Sequence, residues 1–379
     1  MQVENRKIPG ITRLLTYFLA SLLKRLAQFR DPRKRLLIVK TDGLGDYILV
    51  RNFIEFVKKS EKYKAFKVDL LGNELWEDVA VKYDWPYLTS NVFIESEASY
   101  IAPAKLNEIA WRLFRKNYHT VLHPTYSRTF IADSLAAFTG ARNIIGFEGD
   151  TERIMPEYKA KTDKFYTQLK KLPSGINFEF DKTRFFFESA LEQQIAIEAP
   201  SIAATDDIKT RTVILVPGSA AINRNWEPEK FTALAKLILK HTNCNIIITG
   251  TNQQFDLCQN IADSLPDKKV LNFASKTSAS QFIDSIASAA LVVCNETSAV
   301  YIAAAIGTKS ICLLGGGHFN RFLPYPQTIP EVPNCAYEKM DCYNCNWNCK
   351  FHLENEQTFP CIAAISVENA WQQVKLLLA

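Results

Sequence analysis

This 379-residue sequence lacks an uninterrupted run of about 18 uncharged apolar residues, the length that a membrane-spanning helix needs. A secretory signal peptide is not expected, because Lys24 and Arg25 interrupt the first apolar stretch and no small-residue cleavage site follows it. Internal repeats of the solenoid type are also missing. These absences argue against membrane-spanning, secreted and repeat proteins. A hydrophobic fraction of 47% is enough for two sizeable globular cores.

The excess positive charge of the chain is concentrated at its N-terminus. Residues 1–35 carry nine Lys and Arg against two acidic residues, a net charge of +7, whereas the remaining chain carries 36 basic and 38 acidic residues. Because the basic residues do not continue into the rest of the chain and no reader motif is present, we expect no nucleic-acid partner.

Apolar residues in this segment recur at helical spacing between Ile11 and Arg30. One helical face is predicted to carry Leu15, Phe18, Leu19, Leu22 and Leu26. We interpret residues 1–35 as a basic amphipathic arm whose residues 11–30 bind the inner surface of the cytoplasmic membrane, which would make the protein cytoplasmic and peripheral. The alternative is a helix packed on the protein's own core.

Two strand–turn–helix crossings, one in each half of the chain, indicate the fold. At residues 36–58 and 212–240, a short apolar run with β-branched residues meets a glycine turn and then changes to helical periodicity. Further strands and helices alternate in both halves, as in parallel sheets. We predict an α/β protein with two doubly wound, Rossmann-like domains that face a central cleft at the carboxyl ends of their strands.

The predicted domains are residues 36–205 and 206–365, with a linker at 200–211 and a C-terminal helix, 366–379, that returns to the first domain. Strands are predicted at 36–40, 67–71, 120–123, 143–147, 213–216, 245–249, 270–272, 291–294 and 310–314. Helices are predicted at 46–60, 104–116, 129–139, 178–195, 227–241, 253–264, 279–289 and 298–306. Between residues 148 and 177 the pattern fades, and we expect a long loop at the mouth of the cleft.

The first glycine turn carries a candidate base. Gly43 and Gly45 would let a ligand approach the backbone, and Asp46 falls in the first turn of the following helix. A carboxylate there is stabilised by the helix dipole and stays ionised at neutral pH, so it can accept a proton from an attacking hydroxyl. Simple helix capping by Asp46 is the alternative. The turn lacks the third glycine of a dinucleotide-binding fingerprint.

Polar residues after strands of the second half suit an anionic ligand. Gly218 and Ser219 follow the strand at 213–216 and Arg224 precedes the next helix, so these residues would bind a phosphate group unless the loop is merely solvated. Gly316 and His318 follow the strand at 310–314 and are expected to line the same cleft.

A third polar turn follows the strand at 291–294. Glu296, Thr297 and Ser298 open an apolar helix, whose N-terminus attracts anions. Glu296 could also accept hydrogen bonds from sugar hydroxyls. A capping role for Asn295 and Thr297 is an equally good interpretation.

Five of the nine cysteines are concentrated within residues 335–361. Four of them, Cys342, Cys345, Cys349 and Cys361, match the number of thiols that a tetrahedral structural zinc needs. Their spacing is irregular for a zinc ribbon, so free or disulfide-forming cysteines are the alternative. We expect a cytosolic protein, in which clustered cysteines more often bind metal or stay reduced.

Three motifs together resemble glycosyltransferase family 9, the lipopolysaccharide heptosyltransferase group. They are residues 39–46, residues 217–219 with 224–231, and residues 295–308. The resemblance implies a GT-B fold without a cofactor. It also implies an inverting, metal-independent transfer of a heptose or related sugar from a nucleotide-diphospho-sugar to a lipid-linked saccharide such as lipopolysaccharide core.

The resemblance also implies roles for particular residues. Asp46 corresponds to the family's catalytic base, Gly43 and Gly45 lie in the acceptor-side loop, and Arg224 corresponds to its phosphate-binding cation. The predicted donor-binding residues of the C-terminal domain are Gly218, Ser219, Arg224, Glu296, Thr297, Ser298, Gly316 and His318.

Two departures from the family pattern fall where the donor is recognised. The sequence has Glu296-Thr297-Ser298 where Asp-Thr-Gly is frequent, and Tyr301 where a histidine is common. The resemblance therefore implies the general chemistry and does not specify ADP-heptose. Two alternatives stay open: nucleotide-sugar epimerisation on the same fold, which needs no lipid acceptor, and a catalytically inactive, membrane-associated scaffold.

Overall fold

The computed structural model describes residues 8–203, 209–329, 332–354 and 356–379. Two compact units divide between Ile197 and Glu198, ahead of the predicted boundary at 205/206. Residues 1–7 of the predicted arm and residues 204–208 of the predicted linker lie outside the described residues.

The first unit contains a six-stranded parallel sheet in the order β3-β2-β1-β4-β5-β6. Its strands are β1 (Arg33–Val39), β2 (Lys67–Asn73), β3 (Ser90–Ile94), β4 (Tyr118–His123), β5 (Asn143–Phe147) and β6 (Gln168–Lys170). The apolar residues of β1 and β4 are fully buried, as expected for central strands covered on both faces.

Eight α-helices lie in the described part of the first unit. They are α1 (Gly10–Ala27), α2 (Leu44–Ile48), α3 (Asn52–Lys59), α4 (Glu77–Tyr83), α5 (Pro103–Arg115), α6 (Phe130–Phe138), α7 (Pro156–Thr162) and α8 (Glu179–Leu191). The predicted helix at 46–60 is therefore two helices. The predicted long loop at 148–177 is wrong, because it contains α7 and the edge strand β6.

Helix α1 packs on α5 and α6 through one apolar face. Leu19, Ala20 and Leu23 are buried in the core of the first unit. A second apolar stripe of α1 remains exposed at Ile11, Leu14 and Phe18, and Phe29, just beyond the helix, is exposed too, with exposed fractions between 62% and 88%. The single predicted face is thus wrong in detail, since Leu19 points to the core and Phe18 to solvent.

The second unit repeats the architecture in the order β12-β11-β10-β7-β8-β9, again fully parallel. Its strands are β7 (Thr212–Val216), β8 (Asn245–Ile248), β9 (Val270–Asn272), β10 (Leu291–Asn295), β11 (Ser310–Leu313) and β12 (Asn334–Ala336). Its helices are α9 (Pro228–His241), α10 (Phe255–Asp263), α11 (Ala279–Ser288), α12 (Ser298–Ile306), α13 (Pro360–Ala363) and α14 (Val367–Leu378).

Helix α14 stays with the second unit, so its predicted return to the first domain is wrong. It packs on α9, β11 and β12. Ala370, Trp371 and Val374 are buried in the core of this unit, and Lys309 donates a hydrogen bond to the Leu377 carbonyl. The apolar face of α14 is therefore buried within the second unit.

The two sheets confirm the predicted α/β class. Among the described residues, none of the helices combines the length and the apolar character required to traverse a bilayer.

Candidate functional site

Each sheet reverses its strand order at one place, between β1 and β4 in the first unit and between β7 and β10 in the second. Ligands of open parallel sheets bind outside the carboxyl ends of the strands at such a switch point. The turn with Asp46 follows β1, and the turns with Ser219 and Glu296 follow β7 and β10. Each unit therefore has its own candidate site, built around residues that the sequence singles out.

In the first unit, an ionic cluster fills the switch point. The Asp42 carboxylate lies 2.8 Å from Lys40 Nζ, forms a second ion pair with Arg153, and accepts a hydrogen bond of 3.0 Å from Thr125 Oγ1. Trp76 Nε1 donates to the Asp42 carbonyl at 2.9 Å. Lys40 and Asp42 are both buried. The two cations hold the pKa of Asp42 well below its usual range despite the burial, so Asp42 is ionised.

Asp46 is half-buried in α2, close to this cluster. Burial raises the pKa of Asp46 to about 6, with Asp42 and Glu179 adding to the shift and Lys40 and Arg153 opposing it. At pH 7 the carboxylate is mostly ionised, as the sequence suggests. The cause differs, since α2 has only five residues and burial, with the neighbouring charges, sets the pKa.

A second carboxylate, Glu97, lies beside the same turn. Thr41 Oγ1 and Thr129 Oγ1 each donate a hydrogen bond of 2.5 Å to its two oxygens. Burial raises the pKa of Glu97. This carboxyl links the residues after β1 to the start of α6.

Gly43 of this turn is not required by contacts within the chain. Gly43 has an ordinary φ of −69°, and the nearest atom to an added Cβ would be Asp46 Oδ2, 4.0 Å away. The space above Gly43 is open, which leaves room for a ligand beside Asp46.

In the second unit, Asn295 joins the turns that follow β7 and β10. Its side chain donates to the Pro217 carbonyl at 2.6 Å and accepts from the Trp226 amide at 3.0 Å. Asn295 ends β10 and is fully buried, so it does not cap α12. Thr297 is the cap, since its hydroxyl accepts from the Ala299 amide at 3.3 Å.

Arg224 and His318 converge on one aromatic side chain, Trp347. The Arg224 guanidinium carbon lies 4.0 Å from the centroid of the indole. Trp347 Nε1 donates to His318 Nδ1 at 3.3 Å. A cation–π contact and a hydrogen bond thus fix two of the predicted donor-binding residues.

Glu296 belongs to the same group. Burial raises the pKa of its carboxyl, although the charge of Arg224 counteracts the shift. Its buried Oε2 has no hydrogen-bond partner among the described residues. Ser298 begins α12, so its amide and the Glu296 carboxyl lie at one helix N-terminus.

Gly218 and Ser219 are arranged differently from the prediction. The Ser219 hydroxyl donates to the Ala221 carbonyl within its own loop at 2.7 Å. A Cβ added to Gly218 would come within 2.3 Å of the Gln254 side chain, which donates to the Ser219 carbonyl. Both residues therefore shape the loop that carries Arg224.

The Gly316 turn is covered by the cysteine-rich segment. A Cβ at Gly316 would lie 2.1 Å from the Tyr343 ring, and one at Gly317 would lie 2.2 Å from Trp347. Gly316 therefore contacts protein rather than an open surface. All nine cysteines are free thiols. As placed, no three His, Cys, Asp or Glu side chains in the described part of the chain converge to hold a metal ion.

Sequence reasoning missed Lys40, Asp42, Arg153 and Trp347. The first two directly follow a central strand, and that position was a usable signal. Arg153 and Trp347 gave no signal, because each contacts its partner across more than one hundred residues of sequence.

Comparisons with known proteins indicate the family of the chain. The model of glycosyltransferase family 9 (heptosyltransferase) matches residues 108–350. No curated protein matches the sequence.

Solved structures resemble the chain over most of its length. Heptosyltransferase II of E. coli is 13% identical with a TM-score of 0.67, covering 91% of this chain and 98% of its own. A family 9 glycosyltransferase of Veillonella parvula is 16% identical (TM-score 0.68, coverage 92% and 98%). E. coli WaaC, solved with ADP-2-deoxy-2-fluoro heptose, is 15% identical (TM-score 0.65, coverage 90% and 99%).

These structures confirm the GT-B fold. Since the family match covers more than half of the chain, the protein belongs to glycosyltransferase family 9, the heptosyltransferase family, and is a glycosyltransferase.

Proposed function

We propose that this glycosyltransferase moves a heptose or related sugar from a nucleotide-diphospho-sugar to a hydroxyl of a lipid-linked saccharide such as lipopolysaccharide core. The reaction inverts the anomeric carbon and uses no metal ion. The acceptor oxygen bonds to the anomeric carbon from the face opposite the diphosphate, and the bond to the diphosphate breaks. The acceptor proton goes to a carboxylate of the first unit.

The observation that carries this proposal is the position of Asp46 at the switch point of the first sheet, beside the open space at Gly43 and the ion pairs of Asp42. The pKa values of the two neighbouring carboxylates agree with it. Asp42 is held ionised by Lys40 and Arg153, whereas burial raises the pKa of Asp46 to about 6. Neighbouring acids whose environments drive their pKa values apart typically have different catalytic tasks. Asp46, next to the open space at Gly43, is the base, and Asp42 holds the surrounding cations in position.

The second unit supplies the donor site. Arg224 would form charge-assisted hydrogen bonds with the diphosphate, and the amides of Thr297 and Ser298 at the start of α12 would bind the same anion. Such preorganised donors stabilise the negative charge that develops on the leaving group. The buried Oε2 of Glu296 is an acceptor for a sugar hydroxyl. ADP, which WaaC binds in a solved complex, is the first nucleotide to test.

Donor binding and turnover test the proposal directly. A bound nucleotide-sugar stabilises the native state, so a thermal-shift panel of nucleotide diphosphates and their sugars identifies the donor class. The selected donor is then incubated with lipid-linked saccharides, and nucleoside diphosphate release is measured. Absence of release with every donor and acceptor in the panel would overturn the proposed function.

The pH dependence of turnover tests the assignment of Asp46 as the base. Asp46 must be deprotonated to accept a proton, and its pKa is raised to about 6. We expect kcat/KM to be level above pH 7 and to fall by about tenfold per pH unit well below pH 6. A steady-state series from pH 5 to 8 measures this. A flat profile over that range would argue against Asp46 as the base.

The exposed stripe of α1 supports association with a membrane that carries the acceptor. Ile11, Leu14 and Phe18 are exposed on the same side of a helix whose other face is buried in the core. Lys24 and Arg25 lie exposed in its last turn. Apolar side chains with adjacent cations suit the interface of an anionic bilayer.

Replacing Leu14 and Phe18 together by glutamine is expected to weaken binding to anionic vesicles by at least about tenfold, because two apolar side chains no longer enter the interface. Co-sedimentation with phosphatidylglycerol vesicles measures the effect. Leu75→Gln is the matched control, since Leu75 is 72% exposed elsewhere in the same unit. Sedimentation of the double variant like wild type would refute membrane binding through α1.

A further inference from the structure

Four thiols of the cysteine-rich segment share one small cavity. Cys342, Cys345, Cys349 and Cys361 line it, and the remaining lining is mainly apolar, from Met340, Tyr343, Trp347, Phe351 and Phe359. The proposed reaction uses none of the four thiols. Four cysteines are the usual ligand set of a structural zinc, and four sulfur ligands also suit iron.

The backbone around these thiols is held in an unusual conformation. Asn344, Asn346 and Trp347 have positive φ angles of 66°, 49° and 61°. Residues with side chains persist in this left-handed region only where the surrounding structure compensates for the cost. The turns are tied to the glycine loop, since the amides of Asn344 and Asn346 donate to the carbonyls of Gly316 and Gly317 at 2.7 and 2.9 Å.

One backbone amide already points at a thiol. The Gly316 amide donates to Cys361 Sγ at 3.4 Å. Hydrogen bonds of this kind to ligand sulfurs are part of the outer shell that orients and tunes thiolate sites. The thiols line the cavity without converging. The described residues between 337 and 359 form no helix or strand, so the proposed site requires these side chains to move together around the ion.

The cysteine-rich segment contacts the loop that carries Arg224 at two places. Trp347, two residues from both Cys345 and Cys349, lies against the Arg224 guanidinium and donates to His318. Just before Cys361, the Phe359 amide donates to the Asn223 carbonyl at 2.8 Å, and the Thr358 hydroxyl donates to the Asn225 carbonyl at 3.0 Å. Whatever fixes the four thiols therefore also fixes the donor-site arginine.

We propose that Cys342, Cys345, Cys349 and Cys361 bind one zinc or iron ion as four thiolates, and that this ion holds Trp347 where it supports Arg224 and His318. The ion is structural and takes no part in sugar transfer. Trp347 is a positioning residue for the donor. This effect on the donor rests on the proposed function, whereas the metal site itself does not.

Metal content tests the site first. Protein purified under reducing, anaerobic conditions is expected to contain about one equivalent of zinc or iron, or to take it up when either ion is added. Elemental analysis measures the content, and visible absorption distinguishes an iron–thiolate centre from spectroscopically silent zinc. Cys345→Ser and Cys349→Ser are expected to lose the ion, whereas Cys244→Ser, at a buried thiol outside the cavity, retains it. Failure of reduced wild type to bind one equivalent, or disulfides among the four cysteines in the native protein, would overturn the proposal.

ADP affinity, measured by calorimetry, tests the coupling to Trp347. Stripping the ion from wild type with a chelator is expected to weaken ADP binding by about tenfold, and adding the ion back restores it. Trp347→Ala retains the ion yet shows the same weakening, because it loses both the cation–π contact and the hydrogen bond to His318. Unchanged ADP affinity after stripping would refute the coupling while leaving the metal site intact. Absence of ADP binding in the loaded wild type would instead count against ADP as the nucleotide of the proposed function.

Discussion

Replacing Asp46 by asparagine is expected to lower kcat by about 10²- to 10⁴-fold, the range typical of the loss of a general base. The amide is nearly isosteric with the carboxyl but cannot accept the acceptor proton. Nucleotide affinity is expected to stay unchanged, since the proposed donor site is built from residues of the other unit. Initial rates of nucleotide release at saturating substrates, with calorimetry for ADP, measure both quantities.

Two further variants test whether the loss of kcat is specific to Asp46. Glu108→Gln removes an exposed carboxylate from α5 of the same unit and is expected to leave kcat unchanged. Glu97→Gln tests the other carboxyl whose pKa burial raises. If Asp46→Asn kept wild-type turnover and Glu97→Gln lost it, the base would be Glu97 and the proposed mechanism would be wrong in this assignment.

Strand and helix patterns predicted the interior of each sheet and missed three of the four edge strands. The bounds of β5 and of the edge strand β9 were predicted to the residue, and β1, β4, β7 and β10 to within a few residues at either end. The missed strands β3, β6 and β12 are all edge strands of three to five residues. An edge strand pairs on one side only and needs fewer apolar residues, so its sequence carries little signal.

The sequence predicted those parts of the candidate site whose position depends on residues close together along the chain. A turn after a central strand puts Asp46 and Arg224 at the switch points, and the sequence indicates both turns. The contacts that tune them were not predictable from local patterns. Arg153, in a predicted loop, pairs with Asp42 and opposes the rise in the pKa of Asp46, and Trp347 reaches Arg224 from the cysteine-rich segment.

A buried ionic network in the first unit is centred on Arg128. Arg128, fully buried, donates to both oxygens of Asp133 at 3.1 Å and to the Glu148 carbonyl at 3.2 Å, and it also pairs with Asp163. Its guanidinium carbon lies 4.6 Å from the centroid of the Tyr166 ring. Removing one partner of a buried ion pair leaves the other charge without compensation, which costs more than the pair itself contributes.

Arg128→Met is therefore expected to lower the free energy of unfolding of the first unit by about 3–5 kcal/mol at pH 7. Urea denaturation measures it, and Arg142→Met, at an exposed arginine of the same unit, is expected to change it by less than about 0.5 kcal/mol.

Without Arg128, Asp133 is a buried acid whose folded-state pKa lies above its unfolded value, so folding takes up a proton. The difference in unfolding free energy between wild type and Arg128→Met should consequently become smaller as the pH falls from 8 to 5. Adding Asp133→Asn should recover part of the loss at neutral pH, because the uncompensated charge is gone. A deficit that does not depend on pH and persists in the double variant would mean that packing of the Arg128 side chain, rather than its charge, stabilises this unit.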